Sequence, residues 1–293
     1  MAAFVGNAVV AASKLVAAAA TGSSAMIAEG LHSVVDAANN LLMLLGIDRS
    51  RRAPDSRHPF GHGKELYFWA LIIAVVIFGI GGGASVYEGV QHVLHPTPII
   101  HPLWNYAVLL VAFVADGWTL VIASREFNAH RGGRGPFEAI RESKDPTKFT
   151  VVLEDGAATI GLLIAAVGVW LTDRTGNSVY DGAASIAIGL LLCAIAALLA
   201  RESKGLLLGE SARKEVVEGI RRMVEEDPAV VRTGDVLTMH LGPSDLLLNL
   251  DVQFAKTLDS RCVAAAIERL ADAIRHRHPE VRRIFIEAIK GPP

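Results

Sequence analysis

Residues 66–87, LYFWALIIAVVIFGIGGGASVY, indicate the fold class because this stretch carries no charged residue. A helix needs about 20 mostly apolar residues to cross the hydrocarbon core of a bilayer, and this stretch is long enough. Hydrophobic residues make up 52% of the 293-residue chain and charged residues only 20%, less charge than soluble domains usually have. The chain is therefore predicted to be an integral membrane protein.

Six such segments are expected, and they predict an all-α six-helix transmembrane bundle. The first segment contains Lys14, whereas a cleaved signal peptide carries its charge in front of the apolar stretch, so this segment is counted as a span. The boundaries of the spans are predicted to within about 2–4 residues. The spans are residues 2–20, 24–46, 66–87, 103–124, 149–171 and 179–200.

The basic residues of the loops predict the orientation of the bundle. Cytoplasmic loops are enriched in Lys and Arg, and loops two–three and four–five hold eleven of them while the other loops hold one, Arg174. Both termini are therefore expected on the cytoplasmic side of a multi-pass protein, in a bacterial plasma membrane. The net charge of −2 indicates no nucleic-acid partner. The eleven residues are Arg49, Arg51, Arg52, Arg57, Lys64, Arg125, Arg131, Arg134, Arg141, Lys144 and Lys148.

The chain after the last span is predicted to form a separate small domain. Residues 246–254, LLLNLDVQF, place an apolar side chain at every second position and polar side chains between them from Asn249 onward, as expected of a half-buried strand. Residues 235–242 and 281–288 are expected to form two more strands, and apolar residues at helical spacing predict helices around 216–224 and 263–274. The order is α-β-β-α-β, so residues 1–205 form the membrane domain and residues 206–293 a cytoplasmic α+β domain.

Five carboxylates lie inside the predicted spans, where each ionised group costs up to about 2.5–3.5 kcal/mol. Lys14 can pair with one of them, but the acids still outnumber the bases, and an excess of buried negative charge calls for a cation. A sixth acid, Asp181, is expected at the edge of span six, within reach of water. The five are Glu29, Asp36, Asp116, Glu154 and Asp155.

His32 and Asp36 on span two are the central candidate metal ligands. They are four residues apart, so their side chains meet on one face of a helix. An imidazole and a carboxylate at this spacing suit a transition-metal ion, with a second helix supplying further ligands. The alternative is a structural His–Asp pair that joins two helices.

Span five is expected to supply the remaining ligands through Glu154 and Asp155. Adjacent residues are about 100° apart on a helix, so only one of the two is expected to point fully into the site. Asp116, which stands alone on span four, is interpreted as a packing residue.

A second candidate site lies in the loop PDSRHPFGHGK, residues 54–64. Asp55, His58 and His62 offer one carboxylate and two imidazoles at spacings of three and four residues, which can ligate one metal ion. From the loop alone, a metal site and an ordinary surface loop remain equally open.

Four stretches together resemble the cation diffusion facilitator family of metal/proton antiporters. GSSAMIAEGLHSVVD, residues 22–36, is similar to the span-two signature, and HPFGHGK, residues 58–64, to the motif before span three. SVYEGVQHVLHP, residues 85–96, and RESKDPTKFTVVLED, residues 141–155, are similar to the end of span three and to the branch with mitochondrial-type zinc exporters. The resemblance covers nearly the whole chain.

The resemblance implies a homodimer with a metallochaperone-like tail that exchanges a divalent ion for protons across the bilayer. Most members carry a histidine on span five where this chain has Val151, so Glu154 is expected to complete a site of His32, Asp36 and Asp155. One imidazole with carboxylates favours Zn²⁺ and leaves Mn²⁺, Fe²⁺, Co²⁺ and Ni²⁺ open. No separate cofactor and no enzymatic activity are expected. The alternative is a non-transporting membrane metal sensor or interaction protein of the same fold.

Overall fold

The computed structural model describes residues 2–98, 102–130, 135 and 143–290, and Arg131, Arg134 and Arg141 of the basic loop lie outside them. Eight helices and three strands occur in this part of the chain. Helix α3 contains a π-helical segment, Ile77–Gly83, between two α-helical parts. The helices are α1 Ala2–Thr21, α2 Ser24–Ser50, α3 Glu65–Leu94, α4 Pro102–His130, α5 Pro146–Thr175, α6 Val179–Leu208, α7 Lys214–Glu225 and α8 Ser260–Arg277, and the strands are β1 Val230–Gly242, β2 Asp245–Phe254 and β3 Val281–Ala288.

Five of these helices, α2 to α6, are long and apolar enough to cross a membrane. Helix α1 covers the first predicted span, and Val10–Thr21 within it is a shorter apolar helix than the other five. The prediction of a predominantly helical membrane protein is confirmed. The number of six spans stays a prediction.

The helices extend beyond the apolar segments because polarity alone does not end a helix. Helix α5 begins earlier than predicted, since Asp145 caps it by accepting a hydrogen bond from the Thr147 backbone N–H at 3.1 Å and Pro146 follows at the first helical position. Helix α6 continues past residue 200 and ends before Gly209, whose φ of 102° is in the left-handed region.

The C-terminal region forms a three-stranded sheet in the order β1-β2-β3, with β1 and β2 antiparallel and β2 and β3 parallel. The alternation in β2 is as predicted, because every second side chain is apolar and buried against α7 and α8, while Leu247 and the polar residues of the other face are only partly buried. The buried side chains are Leu246, Leu248, Leu250, Val252 and Phe254. The predicted order α-β-β-α-β is confirmed.

The chain divides into two compact units. The helical unit contains Met1–Asp48 and Phe68–Lys204, and the second unit contains Arg49–Tyr67 and Gly205–Pro293. The loop between α2 and α3, which carries the second candidate site, therefore belongs to the same unit as the sheet.

Candidate metal centre

A polar cavity of about 150 Å³ lies inside the helical unit. Its wall combines four carboxylates from three helices, α2, α4 and α5, with small and polar side chains. Such a concentration of negative charge in an apolar surrounding favours a cation. The lining residues are Val10, Ser33, Asp36, Asn40, Asp116, Thr119, Val151, Glu154, Asp155 and Ala158.

His32 and Asp36 are neighbours on α2, as their spacing predicts. Nε2 of His32 lies 3.6 Å from Oδ2 of Asp36, which is close but longer than a normal hydrogen bond. His32 is 2% exposed, and neither of its ring nitrogens has a hydrogen-bond partner among the described residues. Oδ1 of Asp36 also lacks a hydrogen-bond partner among them. Buried polar atoms are normally satisfied, so these orphaned atoms fit a site that is completed by an ion or water.

Glu154 and Asp155 both line the cavity, contrary to the expectation that only one of them would point into it. The cavity is wide enough to be bordered by two side chains 100° apart on α5. Glu154 is held towards α2, because Nδ2 of Asn39 donates a hydrogen bond of 2.7 Å to its Oε1. Val151, at the position of the usual histidine, also lines the cavity.

Two other predictions about buried acids are decided by the structure. Asp116, which was interpreted as a packing residue, pairs with Lys14 at 3.4 Å and also lines the cavity. Asp181 is fully buried rather than in reach of water, because its carboxylate accepts hydrogen bonds from the hydroxyls of Ser23 and Ser24 at the start of α2. No local pattern in the sequence predicts this link between α6 and α2.

The loop candidates Asp55, His58 and His62 come together as predicted. Nδ1 of His58 and Nε2 of His62 each lie 3.2 Å from an oxygen of Asp55, and the three ligand atoms lie within 4.8 Å of one another. Backbone hydrogen bonds, above all from the His58 N–H, lower the pKa of Asp55 from its usual value. The carboxylate is therefore ionised at neutral pH, and the group fits one metal ion.

The loop cluster packs against the sheet of its own unit. Nη2 of Arg283 on β3 donates a hydrogen bond of 2.9 Å to the backbone oxygen of Phe60, and its guanidinium carbon lies 5.1 Å from the centre of the Phe60 ring. A pocket of about 350 Å³ lies between the loop and β1, where Met239 and Leu241 line it.

Several residues around both candidate sites were not predicted. Asn39 is a polar residue of α2, but the side chain of α5 that it faces depends on the rotation of both helices. Arg283 and Phe60 are 223 residues apart in sequence, and no local pattern connects them. The sequence also does not indicate which basic residue of β3 contacts the loop.

The sequence of the chain is similar to that of known proteins. The family model of the cation efflux transmembrane domain matches residues 1–208. The proton-coupled zinc antiporter SLC30A9, mitochondrial, of Xenopus laevis is 33% identical over 94% of this chain and 56% of its own length. The human protein of the same name is 33% identical over 92% and 54%, and metal tolerance protein C4 of Arabidopsis thaliana is 34% identical over 79% and 51%. The chain thus spans about half the length of these relatives.

One prediction is corrected by these relatives. A bacterial plasma membrane was expected, but the loop charges report only the orientation across a membrane and not which membrane it is. The SLC30A9 relatives, which match more than nine tenths of the chain, are mitochondrial by name, so the assignment to a bacterial plasma membrane is wrong, while a multi-pass membrane location is supported.

The family prediction, in contrast, is confirmed. The model match covers more than two thirds of the chain and includes every residue of the helical cavity, and the relatives extend the similarity into the sheet. A family of cation efflux proteins also agrees with the expectation that the chain is not an enzyme. The chain belongs to the cation efflux family, also called the cation diffusion facilitators, and within it is similar to the branch of the mitochondrial zinc antiporters.

Proposed function

We propose that this protein moves a divalent metal cation, foremost Zn²⁺, across a membrane in exchange for protons. The observation that carries the proposal is the cavity that Asp36 of α2 lines together with Glu154 and Asp155 of α5, with the orphaned imidazole of His32 3.6 Å from Asp36. The zinc antiporter names of the relatives support the choice of ion. Mn²⁺, Fe²⁺, Co²⁺ and Ni²⁺ remain alternatives for a site rich in carboxylates.

In this proposal His32, Asp36 and Asp155 bind the ion, and Glu154 is the fourth ligand. Binding requires a neutral imidazole and ionised carboxylates, so loading the site releases protons and protonation of the same groups releases the metal. Asp55, His58 and His62 hold a second ion in the loop. Six spans, cytoplasmic termini, a cytoplasmic domain at residues 206–293 and a homodimer complete the proposal.

The test is zinc uptake into proteoliposomes driven by a pH gradient. The wild type is expected to show uptake that stops when the gradient is collapsed with an ionophore. His32→Ala and Asp36→Ala are expected to abolish it, whereas Asp173→Asn, at the exposed end of α5, keeps it. Wild-type rates in both ligand variants would refute the proposed site.

A second candidate function is a metal sensor of the same fold that does not transport. It is favoured by the loop cluster, whose three ligand atoms are already assembled in contact with the sheet. It predicts zinc binding that is lost in His58→Ala and no flux in the proteoliposome assay, so one experiment separates the two functions.

A further inference from the structure

A lysine is buried within the helical unit beside the metal cavity. Lys14 of α1 is 0% exposed, and its Nζ lies 3.0 Å from Oε2 of Glu29 on α2 and 3.4 Å from Oδ2 of Asp116 on α4. A buried ammonium group is costly unless it is paired, and this one connects three helices through two carboxylates.

The two partners of Lys14 have different surroundings. Glu29 is fully buried and its carboxylate packs against Gly161 of α5, where a larger residue would displace it. Asp116 is 21% exposed and lines the cavity. Lys14 is therefore anchored on Glu29, away from the cavity, and reaches the cavity wall through Asp116.

Asp116 would bind a metal ion if it were unpaired. It shares the cavity with Asp36, Glu154 and Asp155, and an additional anionic oxygen suits every divalent ion considered for this site. A transport site must also release its ion, so a fourth carboxylate would favour binding at the cost of turnover.

We propose that Lys14 is an internal counter-charge that withholds Asp116 from the transported ion and so keeps the affinity of the cavity low enough for release. The inference rests on the proposed transport function and adds two residues to its site, Lys14 and Asp116. Lys14 acts through Asp116 and is a positioning residue.

Two substitutions change the local charge in opposite directions. Lys14→Met removes the positive charge and frees Asp116, so the ion gains a ligand and binds more tightly. Glu29→Gln removes the anchoring negative charge and leaves Lys14 unbalanced beside the cavity, so the ion binds more weakly. A purely structural role of the network predicts loss of affinity or loss of folding in both variants.

The experiment is a Zn²⁺ competition titration of the full-length protein in detergent against a chromophoric chelator. Every protein carries His58→Ala, so that the loop cluster does not contribute to the signal. Lys148→Met is the matched control, because it removes a lysine from the first turn of α5 without touching the Lys14 network. Flux in proteoliposomes is measured in parallel, with KM and kcat separated.

Lys14→Met is expected to lower the Kd for Zn²⁺ by about ten- to a hundredfold, the range seen when groups behind metal ligands are changed. Both KM and kcat fall with it, because release is slowed. In the double variant Lys14→Met with Asp116→Asn, the Kd returns to that of Asp116→Asn alone. Glu29→Gln raises the Kd, and Lys148→Met leaves it unchanged.

A Kd in Lys14→Met that is unchanged or raised would overturn the inference, as would tightening that persists when Asp116→Asn is added. If Lys14→Met does not fold, Glu29→Gln is the second test of the inference, because an unchanged or lowered Kd in this variant contradicts an active counter-charge. Absence of flux in the wild type would instead refute the transport function. Because flux and the Kd values of the variants are measured separately, the two failures can be distinguished.

Discussion

Replacing Gly63 with alanine tests the contact between the loop cluster and the sheet. A Cβ at this position would overlap the carbonyl oxygen of Leu241 on β1, 3.1 Å from the carbonyl carbon and 3.3 Å from Cα of Gly242. These atoms belong to the backbone and cannot rotate away. Either the strand and the loop strain against each other, at a cost of about 1–3 kcal/mol, or the loop leaves the sheet.

The contacts that hold the loop are of similar strength. The hydrogen bond from Arg283 to Phe60 is worth about 0.5–1.5 kcal/mol and the cation–π contact of the same two residues about 0.5–1 kcal/mol. The strain energy is therefore about as large as the stabilisation that the contacts of Arg283 with Phe60 provide. We expect Gly63→Ala to release the loop from the sheet while the core of the sheet stays folded.

Hydrogen exchange of the full-length protein in the presence of a chelator measures this release. The backbone N–H groups of Gly61 and Glu65 donate to the oxygens of His58 and His62, both at 2.9 Å, and they report on loop order. A loss of about 1–2 kcal/mol makes their exchange roughly 5- to 30-fold faster.

The matched control for this variant is Gly219→Ala on α7. A Cβ there lies 3.6 Å from Nε2 of His278, an ordinary contact, and alanine favours a helix, so exchange in the loop stays at the wild-type rate. If the loop amides of Gly63→Ala also exchange at the wild-type rate, the reasoning that the loop is docked by close backbone contact is wrong.

Two further predictions concern side chains that the structure brings together. Asn39→Leu removes the hydrogen bond that orients the carboxylate of Glu154. KM for Zn²⁺ in the flux assay is therefore expected to rise severalfold, while the amount of folded protein stays the same. An unchanged KM contradicts a role of Glu154 at the ion. Arg269→Ala removes a bidentate pair with Asp227, with both distances 2.9 Å, and is expected to lower the free energy of unfolding only slightly at pH 7, because ion pairs of exposed side chains are weak. The hydrogen bond from Arg269 lowers the pKa of Asp227, so this stabilisation is present above the ordinary Asp pKa near 4 and disappears as the pH falls towards the lower folded value. Denaturant titrations at several pH values check this, and a difference that grows on acidification would refute it.

Features that depend on local periodicity could be read from the sequence. The alternation of residues 246–254 predicted the buried face of β2, and the four-residue spacing of His32 and Asp36 predicted their proximity. The loop cluster was also predictable, because Asp55, His58 and His62 lie within eight residues and a turn is enough to bring them together.

Features that depend on the relative rotation of distant helices could not be predicted. Periodicity defines the polar face of each helix but not the partner of that face, so the pairing of Asn39 with Glu154 required the folded bundle. The same limit explains Asp181. The position of Asp181 at the end of an apolar segment suggested contact with water, whereas in the folded chain its carboxylate accepts hydrogen bonds from residues at the start of α2.

The two candidate sites differ in how far their ligands are assembled in advance. In the loop, hydrogen bonds to Asp55 orient the carboxylate, and the three ligand atoms already lie within 4.8 Å of one another. In the helical unit, the nitrogens of His32 have no hydrogen-bond partner among the described residues, so no such bond orients the ring in advance. A preassembled site loses little conformational freedom on binding and retains its ion, whereas a site whose ligands must still be ordered binds more weakly. This difference suits a retained structural ion in the loop and a transported ion in the cavity, and it predicts that dialysis against a chelator empties the cavity before the loop.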